Sequence, residues 1–219
     1  MKKILNFNNN SAGKVFGFIF ALILFAIMLG IIVFQLSKPK SDFWYSIYQE
    51  RTELKYWSSK DSLVTAIDNY IITTAPESTV DGLFLLNKCQ EYNVDLVFVL
   101  AQATLESHFG TTGIAKKTNS VFNVGAYDGE SSHTISSKYK YENPNLSIDP
   151  YLTLLNDSYL EGKSEEELLN NFVNKHGKRY ASYQNYEKEL QIIIKRIEDT
   201  TDIAKAYSRF LKYQNLSNR

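Results

Sequence analysis

VDLVFVLAQATLESHFG, residues Val94–Gly110, reads as one buried helix that ends on a single acid. Asp95 is placed to cap it, and the turns that follow are apolar on every side: Leu96, Val97, Phe98, Val99, Leu100 and Ala101. A helix apolar all round belongs inside a core. Glu106 stands near its end, followed by Ser107, His108, Phe109 and Gly110, and the glycine is expected to terminate it. A carboxylate there is disfavoured twice, by burial and by the negative end of the helix dipole. Both effects raise its pKa, which suits a general acid working near neutral pH. On a frayed, exposed helix end the same residue would carry no chemistry, and composition alone leaves both readings open.

The flanking sequence is helical in pattern. A helix through about Trp57 is expected as a short stalk, and Asp61 is expected to cap a second one carrying Leu63, Ile67, Tyr70 and Ile71 and ending before Pro76. A third should start at Ser78 or Thr79 and run through Leu83, Leu86 and Cys89 to Tyr92 and Asn93. After Gly110 the pattern loosens into turn chemistry at Gly125, Asp128 and Gly129. Tyr139 and Tyr141 alternate with Lys138 and Lys140, so a small hairpin is expected within Glu130–Glu142. Asn143-Pro144-Asn145 breaks it. Ile148, Leu152, Leu155 and Tyr159 recur at helical spacing, with Pro150 tolerable in the first turn. Ser164 to Glu167 forms a capping box for a helix carrying Leu168, Leu169, Phe172 and Val173, which Gly177 can end. Tyr183–Glu198 and Asp202–Tyr213 are the last two helical stretches.

The chain of 219 residues has room for one modest domain plus accessories. Lys+Arg and Asp+Glu both number 24, so no net field points to nucleic acid. One cysteine, Cys89, excludes an internal disulfide, and it falls in an apolar helical pattern as a small buried hydrophobe does. His108, His133 and His176 are scattered without metal-ligand spacing, so no metal and no cofactor is implied. At the start, residues 1–14 are polar, with Lys2, Lys3 and Lys14 and no acid. Residues 15–36 form an apolar run that would span roughly 33 Å as a helix, enough for a bilayer core. No small-x-small cleavage site follows it, so an uncleaved single-pass membrane anchor is expected rather than a signal peptide. Lys38 and Lys40 follow the run, so charge bias sets its orientation weakly. Phe43, Trp44, Tyr45 and Tyr48 come next, either as an interfacial aromatic belt or packed on the domain.

The run A-Q-A-x-L-E-S-x-F-G, Ala101 to Gly110, resembles the signature of the peptidoglycan-cleaving glucosaminidases, glycoside hydrolase family 73 of the lysozyme-like superfamily. Thr112 to Lys117 resembles the family's segment after that helix, and Asn119 to Gly125 resembles its N-N-L-F-G-I-K run. Arg179-Tyr180-Ala181 with Tyr186 resembles its Y-A-x-D-x-x-Y run. Four ordered matches over roughly Tyr70 to Ile197 are specific together, although each alone is weak.

The resemblance implies an α+β, mostly α fold: a lysozyme-like helical domain with a small β-hairpin lobe, here preceded by one transmembrane helix. The organisation expected is a cytoplasmic tail over 1–14, the anchor over 15–36, a helical stalk over 37–69, the catalytic domain over 70–198, and a C-terminal helix and tail over 199–219. It implies an endo-β-N-acetylglucosaminidase with the peptidoglycan glycan strand as partner, acting on the extracytoplasmic side of the cytoplasmic membrane. Glu106 would be the general acid. Tyr180 would line the site near the N-acetyl group or the developing charge, and Phe122, Asn123 and Tyr186 would bind sugar. A buried turn is an equal reading of Phe122 and Asn123. One departure stands out. Family members carry a second acid on the β-lobe, and here Asp128, Glu130 and Glu142 are the only candidates between Gly110 and Asn143, none in a clear motif. The second role then falls to one of them through a water, or to the substrate's own acetamido group. A muramidase, a lytic transglycosylase or a non-catalytic wall-binding protein are the competing readings.

Overall fold

The computed structural model describes residues 10–37, 40–125 and 136–217. The chain divides into two compact units, Met1–Arg51 and Thr52–Arg219. The first holds helix α1 (Asn10–Ser37) and the opening turns of α2 (Lys40–Thr74). Along α1, the large apolar side chains from Ile19 to Val33 are exposed. Among the described residues no helix is long and apolar enough to cross a membrane. The spanning anchor expected over 15–36 is therefore not seen. In α2, Phe43 and Trp44 meet edge to face at 5.5 Å, and both are exposed.

The second unit is helical. After the remainder of α2 come α3 (Gly82–Tyr92), α4 (Leu96–Ser107) and the single turn α5 (Ala115–Thr118). Two 3-10 turns, Ser137–Tyr139 and Pro144–Ser147, lead into α6 (Ile148–Leu154), which runs on as a π-turn over Leu155–Tyr159. Then follow α7 (Glu165–Asn170), α8 (Tyr186–Thr200) and α9 (Ile203–Ser217). Helix α4 is the axis of the core. Every residue from Leu96 to Thr104 is buried, as an all-round apolar helix requires. Asp95 caps it by accepting from the Phe98 amide at 2.9 Å, and the Asp95 amide donates to Glu165 on α7 at 3.0 Å. Helix α8 packs along α4. It turns Tyr186, Leu190, Ile193 and Ile197 inward, a stripe at three- and four-residue spacing.

Several expectations are corrected. Among the described residues there is no strand pair, so the small β-lobe is not seen. Residues 130–135 of the expected hairpin lie outside the described residues. Ser137–Tyr139 is a 3-10 turn, and Tyr141 bonds singly to the Thr118 carbonyl at 2.8 Å rather than laddering with a partner strand. Lys138 and Lys140 are exposed while Tyr139 and Tyr141 are half-buried, so the alternation reports which side chains face solvent without requiring a strand. Asp61 caps nothing: α2 runs unbroken from Lys40 to Thr74. Helix α3 starts later than expected, with Asp81 as its cap accepting from the Phe84 amide at 2.8 Å. Ser78 instead donates to the Phe109 carbonyl at 2.9 Å. The capping box at Ser164 and Glu167 is present, but α7 stops at Asn170. Phe172 and Val173 lie beyond it, where Val173 bridges Arg179 across the turn at Gly177.

Candidate active site

The site forms where α4 ends. The helix closes at Ser107, and His108, Phe109 and Gly110 follow at φ of 46°, 54° and 85°. Three left-handed residues in succession reverse the chain, so the stop is made by His108 and not by Gly110 alone. Ser107, buried, ties this reversal to the next segment. Its hydroxyl donates to the Val121 carbonyl at 2.5 Å and accepts from the Gly110 amide at 2.7 Å. The turn 120–123 is thereby pressed against the end of α4.

Glu106 lies in the last turn of α4 and is only partly exposed. Its carboxyl receives two side chains from distant parts of the chain. The Tyr186 hydroxyl donates to Oε1 at 2.6 Å. Asn123 Nδ2 donates to the Glu106 backbone carbonyl at 2.7 Å and reaches Oε2 at 3.4 Å. Asn123 stands at φ 50°, a left-handed conformation that asparagine tolerates better than most residues. Burial pushes the Glu106 carboxyl up to about 6, against the two hydrogen bonds, which pull it down. A carboxyl so poised is still largely protonated in mildly acidic solution, as a proton donor must be.

The other residues expected at the site are close by, in varied roles. Tyr186 is buried at 4 % exposure and faces the acid rather than an open groove. Burial and the neighbouring carboxylate raise its phenol well above the ordinary range, so it remains a proton donor at any working pH. The Tyr180 hydroxyl donates to the Phe122 carbonyl at 3.0 Å. Its ring stacks on Phe172 at 4.8 Å and tilts against Tyr186 at 5.7 Å. Phe122 is buried, stacked on Tyr151 with centroids 3.6 Å apart. Asn123 Oδ1 is buried without a hydrogen-bond partner. Of the three candidate second acids, Asp128 and Glu130 lie outside the described residues. The Glu142 side chain is exposed, and its backbone carbonyl accepts from Asn119 at 3.2 Å.

Two further residues, to which the sequence reading gave no role, join the site. Gln102, one turn before Glu106 on the same helix face, is completely buried, and its Nε2 donates to Tyr186 Oη at 2.9 Å. The Tyr151 hydroxyl donates in turn to Gln102 Oε1. The signal was present: a glutamine in the middle of an all-apolar helix must find partners there. A cavity of about 490 Å³ lies at the opposite end of α4, lined by Asp95, Phe98, Glu165, Leu169 and Tyr207, away from the acid.

A desolvated carboxyl at the end of a buried helix, held by a phenol and an amide, has the makings of a single-acid glycosidase site. A family model described as mannosyl-glycoprotein endo-beta-N-acetylglucosaminidase matches residues 85–199, and the chain belongs to that glucosaminidase family. It is a glycoside hydrolase that acts on peptidoglycan. No curated protein and no solved structure matches the chain.

Proposed function

We propose that the chain is an endo-β-N-acetylglucosaminidase, cutting the β-1,4 bond on the reducing side of N-acetylglucosamine in the peptidoglycan glycan strand. Glu106 is the general acid. The observation that carries this reading is the Glu106 carboxyl itself, desolvated, raised to about 6 and bonded by Tyr186 and Asn123. Its proton passes to the glycosidic oxygen as the C1–O bond breaks, and the leaving sugar departs as an alcohol. The substrate's acetamido oxygen closes on C1 as the oxocarbenium character develops. Water then attacks C1, gives its proton to the Glu106 carboxylate and reopens the ring, returning the acid to its starting form. The exposed side chain of Glu142 supports giving the nucleophile's role to the acetamido group. So does the unpaired Asn123 Oδ1, a place for the acetamido N–H. Tyr180 serves through the Phe122 carbonyl, holding the turn that carries Asn123. Because its substrate lies outside the cytoplasmic membrane, the enzyme works on that side.

Reducing-end analysis of digested, purified cell wall tests this reading. N-acetylglucosamine ends are expected. Muramic acid ends would make the enzyme a muramidase, and 1,6-anhydro ends a lytic transglycosylase. Wall bound without any bond cleaved would make the chain a binding protein.

A further inference from the structure

Glu106, Tyr186, Gln102 and Tyr151 form one chain of hydrogen bonds that runs from the acid into the core. Its direction follows from the inner end. Tyr151 is fully buried with Phe122 stacked on its ring, and burial holds its phenol protonated. That proton needs an acceptor, and the partner present is the Gln102 side chain. The glutamine must therefore turn its carbonyl oxygen to Tyr151 and its amide nitrogen to Tyr186. Tyr186 Oη, accepting a hydrogen bond from Gln102 Nε2, is left to donate its own to Glu106 Oε1. Running the chain the other way would strand the Tyr151 proton inside the core, which folded proteins avoid.

We propose that Tyr151 and Gln102 are positioning residues for the acid: they fix the direction of this chain, so that Tyr186 always donates to Glu106 Oε1 and the transferable proton is carried by Oε2. Of the two carboxyl oxygens, Oε1 accepts the short bond, from Tyr186 at 2.6 Å, and Oε2 only the long one, from Asn123 at 3.4 Å, so the proton rests on Oε2. The donor edge of the acid is thus the Oε2 edge, beside Asn123. The proton is aimed before substrate arrives, by residues that never meet the sugar. This inference rests on Glu106 being the acid.

Among the described residues, the titratable groups facing the carboxyl are three phenols: Tyr151 from α6, Tyr180 from the segment before α8, and Tyr186 at the start of α8. Burial raises each well above its ordinary value, so all three stay neutral while Glu106 titrates. Asn123, from the turn after α5, is uncharged, and His108 is exposed beyond the end of α4.

The test is Tyr151→Phe in the full chain, read by ¹³C NMR titration of the Glu106 carboxyl, whose resonance is the one absent from Glu106→Gln. Without the Tyr151 hydroxyl, Gln102 is free to turn its carbonyl oxygen towards Tyr186 and divert that donor from the acid. The Glu106 midpoint should rise by about half a unit or more, and the alkaline limb of kcat/KM should move with it. Tyr186→Phe should move both in the same direction, and the double variant should move them no further than Tyr186→Phe alone. In the unmodified protein, the Gln102 side-chain amide protons should exchange slowly with solvent. An unmoved midpoint in folded Tyr151→Phe would overturn the proposal. Should that variant not fold, Gln102→Met takes its place, and an unmoved Glu106 midpoint in that variant would overturn the proposal, while a rise of about half a unit or more would uphold it. An active Glu106→Gln would instead defeat the assignment of the acid, leaving the carboxyl titration as a separate result.

Discussion

Tyr186 Oη lies 2.6 Å from Glu106 Oε1, although 80 positions separate the two residues in the chain. Helices α4 and α8 are packed together by Leu190, Ile193 and Ile197, and that contact sets the phenol against the acid. Packing and chemistry are therefore one arrangement: the helix that covers the core also delivers the group that tunes the carboxyl.

Stability should register the same burial. The Glu106 carboxyl is raised from 4.5 to about 6 on folding. Between those values the folded chain holds a proton that the unfolded chain has released. Its stabilising contribution is present below the unfolded value and is lost as pH rises through about 6. The unfolding free energy of the unmodified protein should fall by on the order of 1–2 kcal/mol across this window, relative to Glu106→Gln, which has nothing to titrate there. Urea denaturation of both at pH 4.5 and pH 7 measures the difference. Parallel pH dependence would mean that the carboxyl is not desolvated.

Ser107→Ala should destabilise the unit. The buried Val121 carbonyl and Gly110 amide both lose their partner, a loss of about 1–3 kcal/mol. Turnover should fall as well, because the Asn123 turn is no longer pinned to α4. Denaturation midpoints and kcat on the same preparation check both effects. A variant as stable and as active as the parent would remove Ser107 from the site's support.

Tyr180→Phe should act through the Phe122 carbonyl, which the hydroxyl holds at 3.0 Å. A stability loss of about 1 kcal/mol is expected, with turnover reduced less than about tenfold. A hundredfold fall in kcat at unchanged melting temperature would instead put the hydroxyl on the sugar.

How far the site was legible depended on what kind of signal each residue left. Asp95, the apolar turns of α4 and Glu106 were readable because a buried helix with one acid is a local pattern, and the structure has that helix at Leu96–Ser107. The capping box at Ser164 is equally local and is present. Helix ends were less legible. His108 and Phe109 take left-handed conformations ahead of Gly110, held by the Ser107 and Ser78 hydrogen bonds, and such tertiary ties leave no mark on a propensity reading. The expected hairpin failed for a related reason. Tyr141 and Asn119 are joined by single bonds between distant segments, while alternation only states which side chains differ. Gln102 and Tyr151 show the same limit: each is conspicuous as a polar group among apolar neighbours, but that they bond to each other is a fact of packing.

The second carboxylate can be tested without further structure. If the substrate's acetamido group is the nucleophile, the amide variants of Asp128, Glu130 and Glu142 should each lose less than about tenfold in turnover, roughly 1.4 kcal/mol. Turnover of a defined glycan by the three variants measures this. A thousandfold loss in any one would identify that residue as the base.

The most direct test of the account is turnover of a defined peptidoglycan glycan by Glu106→Gln. The substitution keeps the shape of the side chain and an acceptor for Tyr186, and it removes the proton to be donated. General acid catalysis is worth roughly a hundred- to ten-thousand-fold, so a loss of that size is predicted with folding and glycan binding nearly intact. Activity within about threefold of the unmodified protein would contradict the account and remove Glu106 from the mechanism.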